Sequence, residues 1–174
     1  MHKLFGVLDA RDRALLARLM LEPSATARRR RAWEVVTVGG GARGSIAVAL
    51  LPLLVALVVP RAAHAAWLLF VDAALILAAS HLVVQVIKRT AVRPRPVSAG
   101  AFAPDAFSFP SGHACAALAV ALAYAVHLPL LAGPAVAVAG IVGYSRIALG
   151  VHFPGDVLAG QGIAFLTALA VVAR

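Results

Sequence analysis

The chain has 174 residues, 62% of them hydrophobic and 13% charged, with a mean hydropathy of +0.92. A soluble domain has about 45–50% apolar and about 25% charged residues, so the balance excludes an ordinary water-soluble domain and points to a membrane protein. Sixteen Lys and Arg against seven Asp and Glu give +9, and the single cysteine, Cys115, excludes an internal disulfide and reads as a small packing residue.

Residues 1–21 scatter charges through their apolar positions, which is unlike the unbroken apolar core of a signal peptide. Leu4, Leu8, Leu15 and Leu19 recur near helical spacing with Asp9, Arg11, Asp12, Arg13 and Arg18 between them. This pattern predicts an amphipathic helix lying in the interface; a helix packed on a soluble partner is the alternative. Arg28 to Arg31 form a basic run before the first strongly apolar stretch. Such a run attracts anionic headgroups or sets topology, and no nucleic-acid motif accompanies it. Residues 39–44, GGGARG, match a dinucleotide-binding glycine pattern, but no acidic residue follows between Glu34 and Asp72 and the next segment is apolar. The stretch reads as a flexible entry into the bilayer.

Five apolar stretches follow, over residues 44–60, 67–87, 112–131, 134–149 and 155–172. They lack strand alternation and approach the length of about 20 residues that a span requires. The expected fold is therefore an all-α integral membrane bundle of five to six helices, counting the N-terminal amphipathic helix. Residues 1–42 form its interfacial segment and residues 43–174 its membrane-embedded core. Between the second and third stretches, residues 88–111 form a Pro-, Gly- and Arg-rich loop too long for a simple connector.

Alternate crossings bring that loop, residues 145–146 and residues 152–156 to one surface. Lys88 and Arg95 offer a point charge and a planar fork suited to a phosphate dianion, or else are snorkelling cations at a helix end. Pro110-Ser111-Gly112-His113 opens a helix whose unpaired N–H groups and positive dipole end favour an anion, with His113 placed to exchange a proton. Ser111 as a plain cap and His113 as a structural histidine are the alternatives. Arg146 precedes His152 and Asp156, and a carboxylate four residues from an imidazole can bind one ring nitrogen and leave the other free as a nucleophile. His81, Gln85 and Lys88 share one helical face, which suggests that the first two support the pocket. Asp72 reads as structural, and Tyr124 and His127 as interfacial or interhelical.

Lys88…Arg95-Pro96, Pro110-Ser111-Gly112-His113 and Ser145-Arg146…His152…Asp156 together match K-x6-R-P, P-S-G-H and S-R-x5-H-x3-D in order and spacing. From about Trp67 onward the chain therefore resembles the type-2 phosphatidic acid phosphatase superfamily, in its membrane branch and not its soluble acid phosphatases or vanadium haloperoxidases. The resemblance implies six membrane helices, the first corresponding to the charged N-terminal segment here. It implies a phosphatase acting on a lipid phosphate or diphosphate among membrane lipids, with no metal and no cofactor. His152 would attack phosphorus to give a phosphohistidine and Asp156 would orient its ring. His113 would protonate the leaving group and then activate water. Lys88, Arg95, Ser111, Gly112 and Arg146 would hold the phosphoryl oxygens. A non-catalytic phospholipid-binding or transport protein is the alternative function, and a metal-dependent hydrolase using His113, His152 and Asp156 is less well supported because no H-E-x-x-H occurs. All Lys and Arg except Arg61 and Arg174 fall on the side of the motifs, so the positive-inside rule favours a cytoplasm-facing site in a bacterial inner membrane.

Overall fold

The computed structural model describes residues 2–22, 24–96 and 105–174, with side chains from Asp9 onward. The Leu4 and Leu8 side chains and the middle of the 88–111 loop, both invoked above, lie outside the described residues. The rest is helical: α1 (His2–Leu19), α2 (Ala27–Gly39), α3 (Ala42–Val58), α4 (Ala63–Ala91), α5 (Gly112–His127), α6 (Ala132–Ala148) and α7 (Pro154–Val172). Short 3-10 turns, each opened by a proline, precede α4 and α6.

Among the described residues, three helical segments are long and apolar enough to cross a membrane: Pro60–Ala91, Pro129–Ala148 and Pro154–Val172. A fourth arises if α2 and α3, bent by 50° at their junction, count as one span. Their outer faces carry Leu54, Leu57, Leu82, Leu158 and Leu166, all exposed. An apolar exterior of this extent suits lipid and not water, and the chain is an integral membrane protein.

Helix α5 occupies the centre, packed by α3, α4, α6 and α7. With 16 residues it is about 24 Å long, short of the roughly 30 Å hydrocarbon core. Its composition explains its place. Ala114, Cys115, Ala116, Ala119 and Ala123 are buried, and their small side chains let the surrounding helices approach closely. Ala73, Ile76 and Val84 of α4 and Ala164 and Ala168 of α7 complete this core. Tyr124 donates to the Val48 carbonyl (2.8 Å), while Asp72 pairs with His127 (2.8 Å) and Arg174 (2.6 Å), which are interhelical ties of the kind expected of these residues.

The expected N-terminal helix is present as α1, and it packs on the core. Leu16 joins Ala114, Ile147, Phe153 and Val157, while Leu21 joins Ala148, Leu149 and Val151. The glycine stretch at 39–44 is the joint between α2 and α3, and Gly40 and Gly41 in it are tightly surrounded. A Cβ on Gly40 would strike Val142, and one on Gly41 would stand 2.9 Å from His113 Nε2. Helix α7 meets α5 just as closely, because a Cβ on Gly160 would fall within van der Waals contact of the Ser111 carbonyl oxygen, which is backbone and cannot swing away.

Gly160→Ala is therefore expected to force α7 away from the start of α5 and to destabilise the protein by about 1–3 kcal/mol. Gly140→Ala, where nothing lies within 4 Å of the added carbon, serves as the control. Thermal unfolding in detergent checks this, with a lower Tm expected only for the first variant.

Candidate active site

The site lies where α4 and α6 end and α5 and α7 begin. Helix α4 stops at Val92, whose φ of 46° is a left-handed conformation that turns the chain back across the bundle. The following stretch is extended and clipped to the far end of its own loop. Pro94 bridges Phe107, the Ser108 N–H donates to the Arg93 carbonyl (2.8 Å), and the Ser108 hydroxyl donates to the Pro94 carbonyl (3.0 Å). In an extended chain residues i and i+2 share a face, so Arg93 and Arg95 both point toward the start of α7.

Lys88, in the last turn of α4, is buried and donates to both Asp105 oxygens (2.9 and 2.7 Å) and to the Phe107 carbonyl (3.2 Å). Arg95 donates to Asp105 Oδ1 (2.8 Å), to the Asp105 and Val151 carbonyls (2.7 and 2.9 Å) and to His152 Nε2 (3.0 Å). Burial pulls the Asp105 carboxyl upward, but the Lys88 and Arg95 hydrogen bonds more than offset it and hold the group below the usual carboxylate range. Asp105 is thus the internal counter-ion of the two signature cations.

Ser111 is fully buried at the N-cap of α5, where its hydroxyl oxygen accepts from the Ala114 N–H (3.5 Å) and its own N–H donates to the Asp156 carbonyl (2.9 Å). This second bond ties the Pro-Ser-Gly-His segment to the first turn of α7. Gly112 follows with no side chain of its own. His113 is half-buried against Gly41, within electrostatic reach of Arg146, His152, Arg95 and Lys88. Arg146 is buried in the last turn of α6 and donates to the Thr37 hydroxyl of α2 (2.6 Å).

The chain leaves α6 through Gly150, whose φ of 66° favours glycine. The Val151 and His152 N–H groups donate back to the Arg146 carbonyl (3.0 and 3.2 Å), which fixes His152 beside the arginine. Pro154 opens α7, and Asp156, at the third helical position, accepts from the Phe153 N–H (2.8 Å). The same carboxylate stands 3.5 Å from His152 Nδ1 and accepts from Arg93 (2.7 Å).

This geometry fixes the state of His152. Arginine has only donors, so Nε2, which faces Arg95, must carry the lone pair, and the proton sits on Nδ1 toward Asp156. Burial, reinforced by the Arg95 and Arg146 charges and opposed by Asp156, lowers the imidazole pKa from 6.5 to about 4. A neutral imidazole therefore directs its lone pair at Arg95.

The residues marked by the sequence thus converge, with two exceptions. His81 lies exposed on α4 and bonds Gln85 (3.1 Å), and no described hydrogen bond joins either to the site. Thr37, Asp105 and Arg93 were not anticipated. Nothing local marks Thr37, whereas the i, i+2 spacing of Arg93 from Arg95 was available as a signal. Among the described residues no three His, Cys, Asp or Glu side chains are grouped as metal ligands. A cavity of about 350 Å³ opens beside the α2–α3 joint and runs between α3, α5 and α6, lined by Gly40, Val48, Val120, Tyr124, Val138 and Leu131 among others.

Known proteins share both the sequence and this architecture. The chain is 37% identical over 103 residues to phosphatidylglycerophosphatase B of Bacillus subtilis (strain 168), covering 53% of this chain and 51% of that one. It is 35% identical over 122 residues to decaprenylphosphoryl-5-phosphoribose phosphatase of Mycobacterium tuberculosis (strain ATCC 25618 / H37Rv), covering 66% and 63%. The chain therefore spans about half to two thirds of the length of these relatives. The crystal structure of a transmembrane PAP2-type phosphatidylglycerolphosphate phosphatase from Bacillus subtilis superimposes with a TM-score of 0.72 at 25% identity, over 96% of this chain and 85% of that one. That of LpxE from Aquifex aeolicus shares the fold, with a TM-score of 0.68 at 21% identity over 87% and 89%. The family model of the PAP2 superfamily matches residues 69–174, which hold all three motifs, and the chain belongs to that superfamily.

Proposed function

We propose that this protein is a membrane lipid phosphatase that hydrolyses a phosphate or diphosphate monoester of a lipid through a phosphohistidine on His152. The observation that carries the reading is the contact between Arg95 and His152 Nε2, because it directs the lone pair of a neutral imidazole at one of the cations that would bind a phosphoryl group.

In this mechanism Lys88, Arg95, Arg146, Ser111 and the Gly112 N–H bind the nonbridging oxygens and stabilise their charge at the transition state, as the sequence pattern also implies. His152 Nε2 attacks phosphorus while Asp156 steadies the Nδ1–H and the positive charge growing on the ring. His113 donates a proton to the departing lipid oxygen, then takes one from the water that cleaves the phosphohistidine and releases phosphate. His81 and Gln85 remain candidates for a supporting role at the far side of Lys88. The scheme needs no metal and no cofactor.

A lipid substrate is supported by the apolar cavity between α3, α5 and α6, which suits a hydrocarbon chain and whose lining includes Ala117, one turn along α5 from His113. The candidate substrates are polyprenyl (di)phosphate, phosphatidylglycerophosphate, phosphatidate and a prenyl-linked sugar phosphate, and the relatives' names lend support to the second and the last. In the membrane, residues 1–42 form the interfacial segment and residues 43–174 the embedded core. Five or six membrane helices result if α5, enclosed by its neighbours, and α1 are counted. The basic residues on the motif side support a cytoplasm-facing site in a bacterial inner membrane.

Phosphate release from a panel of these lipids by detergent-purified protein in EDTA tests the function. Release is expected for the wild type and not for His152→Ala. Lipid binding with no release by either protein would favour a binding or transport role instead.

The protonation state of His152 gives a second prediction. Its folded pKa, about 4, lies below the ordinary 6.5, so between these values the unfolded chain binds a proton that the folded protein excludes. Stability contributed at neutral pH is therefore lost as pH falls from 6.5 toward about 4. The wild type is expected to lose Tm relative to His152→Asn across this window, and parallel curves would show that His152 is protonated in the folded protein.

A further inference from the structure

Arg93 stands beside the site without facing the phosphate-binding pocket. It shares an extended face with Arg95, yet Arg95 approaches His152 from the Nε2 side, whereas Arg93 meets Asp156, on the Nδ1 side. Three carboxylates engage its fork. Nη1 donates to Asp156 Oδ1 (2.7 Å) and to Asp12 Oδ2 (2.8 Å), and Nη2 donates to Asp9 Oδ1 (2.8 Å). The guanidinium also lies 4.1 Å over the ring of Phe153, the residue that follows His152.

Two of these carboxylates come from α1. Asp9 and Asp12 are three residues apart and so share one helical face. That face is fastened to the site at a second point, where the Gly155 N–H in the first turn of α7 donates to Asp12 Oδ1 (2.8 Å). Arg13 pairs with Asp9 (2.8 Å), and Leu16, one turn on from Asp12, packs against Phe153 and Val157. Helix α1 therefore grips both the arginine that holds Asp156 and the turn that carries His152.

The charges make this arrangement more than a tether. An unaccompanied Arg93 would neutralise Asp156 and weaken its hold on the positive charge that develops on the His152 ring. Asp9 and Asp12 compensate Arg93, so that Asp156 keeps its effective negative charge. Arg93 holds Asp156 Oδ1 while the Phe153 N–H holds Oδ2 (2.8 Å), and the two bonds together fix the plane of the carboxylate.

We propose that Arg93, held by Asp9 and Asp12 of α1, is the positioning residue for the Asp156–His152 pair, which makes the N-terminal helix a working part of the active site. The proposal rests on the reading of His152 as the nucleophile. Asp9, Asp12 and Arg93 act through Asp156 and touch no phosphate.

The test uses the full chain in detergent and the lipid that the wild type hydrolyses fastest among phosphatidate, phosphatidylglycerophosphate and undecaprenyl diphosphate. Wild type, His152→Ala, Arg93→Ala, Arg93→Lys and the double variant Asp9→Asn with Asp12→Asn are compared using only the monodisperse fraction of each. Arg93→Ala and the double variant are expected to lose about 10²-fold in kcat, the scale of a misplaced reacting group. KM should stay near the wild-type value, because Lys88, Arg95 and Arg146 still bind the phosphate. Arg93→Lys should recover part of kcat by restoring the charge beside Asp156. A wild-type kcat per folded molecule in Arg93→Ala and the double variant would overturn the proposal and leave the network a structural tie. A raised KM with kcat unchanged would overturn it by making Arg93 a phosphate ligand. If His152→Ala releases phosphate as fast as the wild type, the nucleophile assignment itself falls, and that arm separates the two failures.

Discussion

Four cationic side chains, those of Lys88, Arg93, Arg95 and Arg146, converge at one end of an apolar bundle, and the rest of the site is arranged around the cost of keeping them there. Removing an ion from water costs several kcal/mol even after the protein relaxes, and only good geometry with further hydrogen bonds offsets it. The cations differ in the partners they are given. Lys88 has Asp105 and the Phe107 carbonyl, and Arg95 has Asp105 with the Asp105 and Val151 carbonyls. Arg93 has three carboxylates and Arg146 the Thr37 hydroxyl. The partners decide the roles. Arg93 is committed to three carboxylates, one of them fully buried, and to a neighbouring ring, whereas Lys88 and Arg95 share a single half-exposed carboxylate on a loop, a partner easier to exchange.

The half of this arrangement that carries the three motifs was legible because it is written in short spacings. Lys88 to Arg95, residues 110–113 and 145 to 156 each lie within one turn or helix end, and alternate crossings bring such ends to one surface whatever the details of packing. Partners distant in sequence were not legible in the same way. Asp9 and Asp12 read as polar positions of an amphipathic helix, and nothing in that periodicity indicates that they would close on Arg93, more than 80 residues away. Thr37 is likewise a polar residue in a helix whose neighbours Val35, Val36 and Val38 give no cue. The glycines at 39–44 read as a flexible entry, whereas at Gly40 and Gly41 the missing side chains allow close packing against Val142 and His113.

The helix count illustrates a similar limit. Apolar length marks a candidate span, but α5 is apolar because other helices enclose it, and its 16 residues need not reach both surfaces. The same criterion cannot tell that α2 and α3 meet at 50°. Hydropathy reports what a segment avoids, and in this bundle both lipid and protein satisfy the avoidance.

The placement of the site at helix ends follows from the same physics. Within hydrocarbon every backbone polar group must be satisfied inside its own helix, so the groups left for a ligand are those at the termini. Two helices end here and two begin. Lys88 and Arg146 occupy the last turns of α4 and α6, where the partial negative charge of the carbonyl end favours a cation. Asp156 occupies the first turn of α7, where the N–H end favours a carboxylate, and Ser111 caps α5 at another such end. An antiparallel bundle thus supplies, at one surface, alternating sites that stabilise cations and anions before any substrate arrives. The three motifs fall at those termini because there a charged residue is stabilised by the fold while its polar head remains within reach of a ligand.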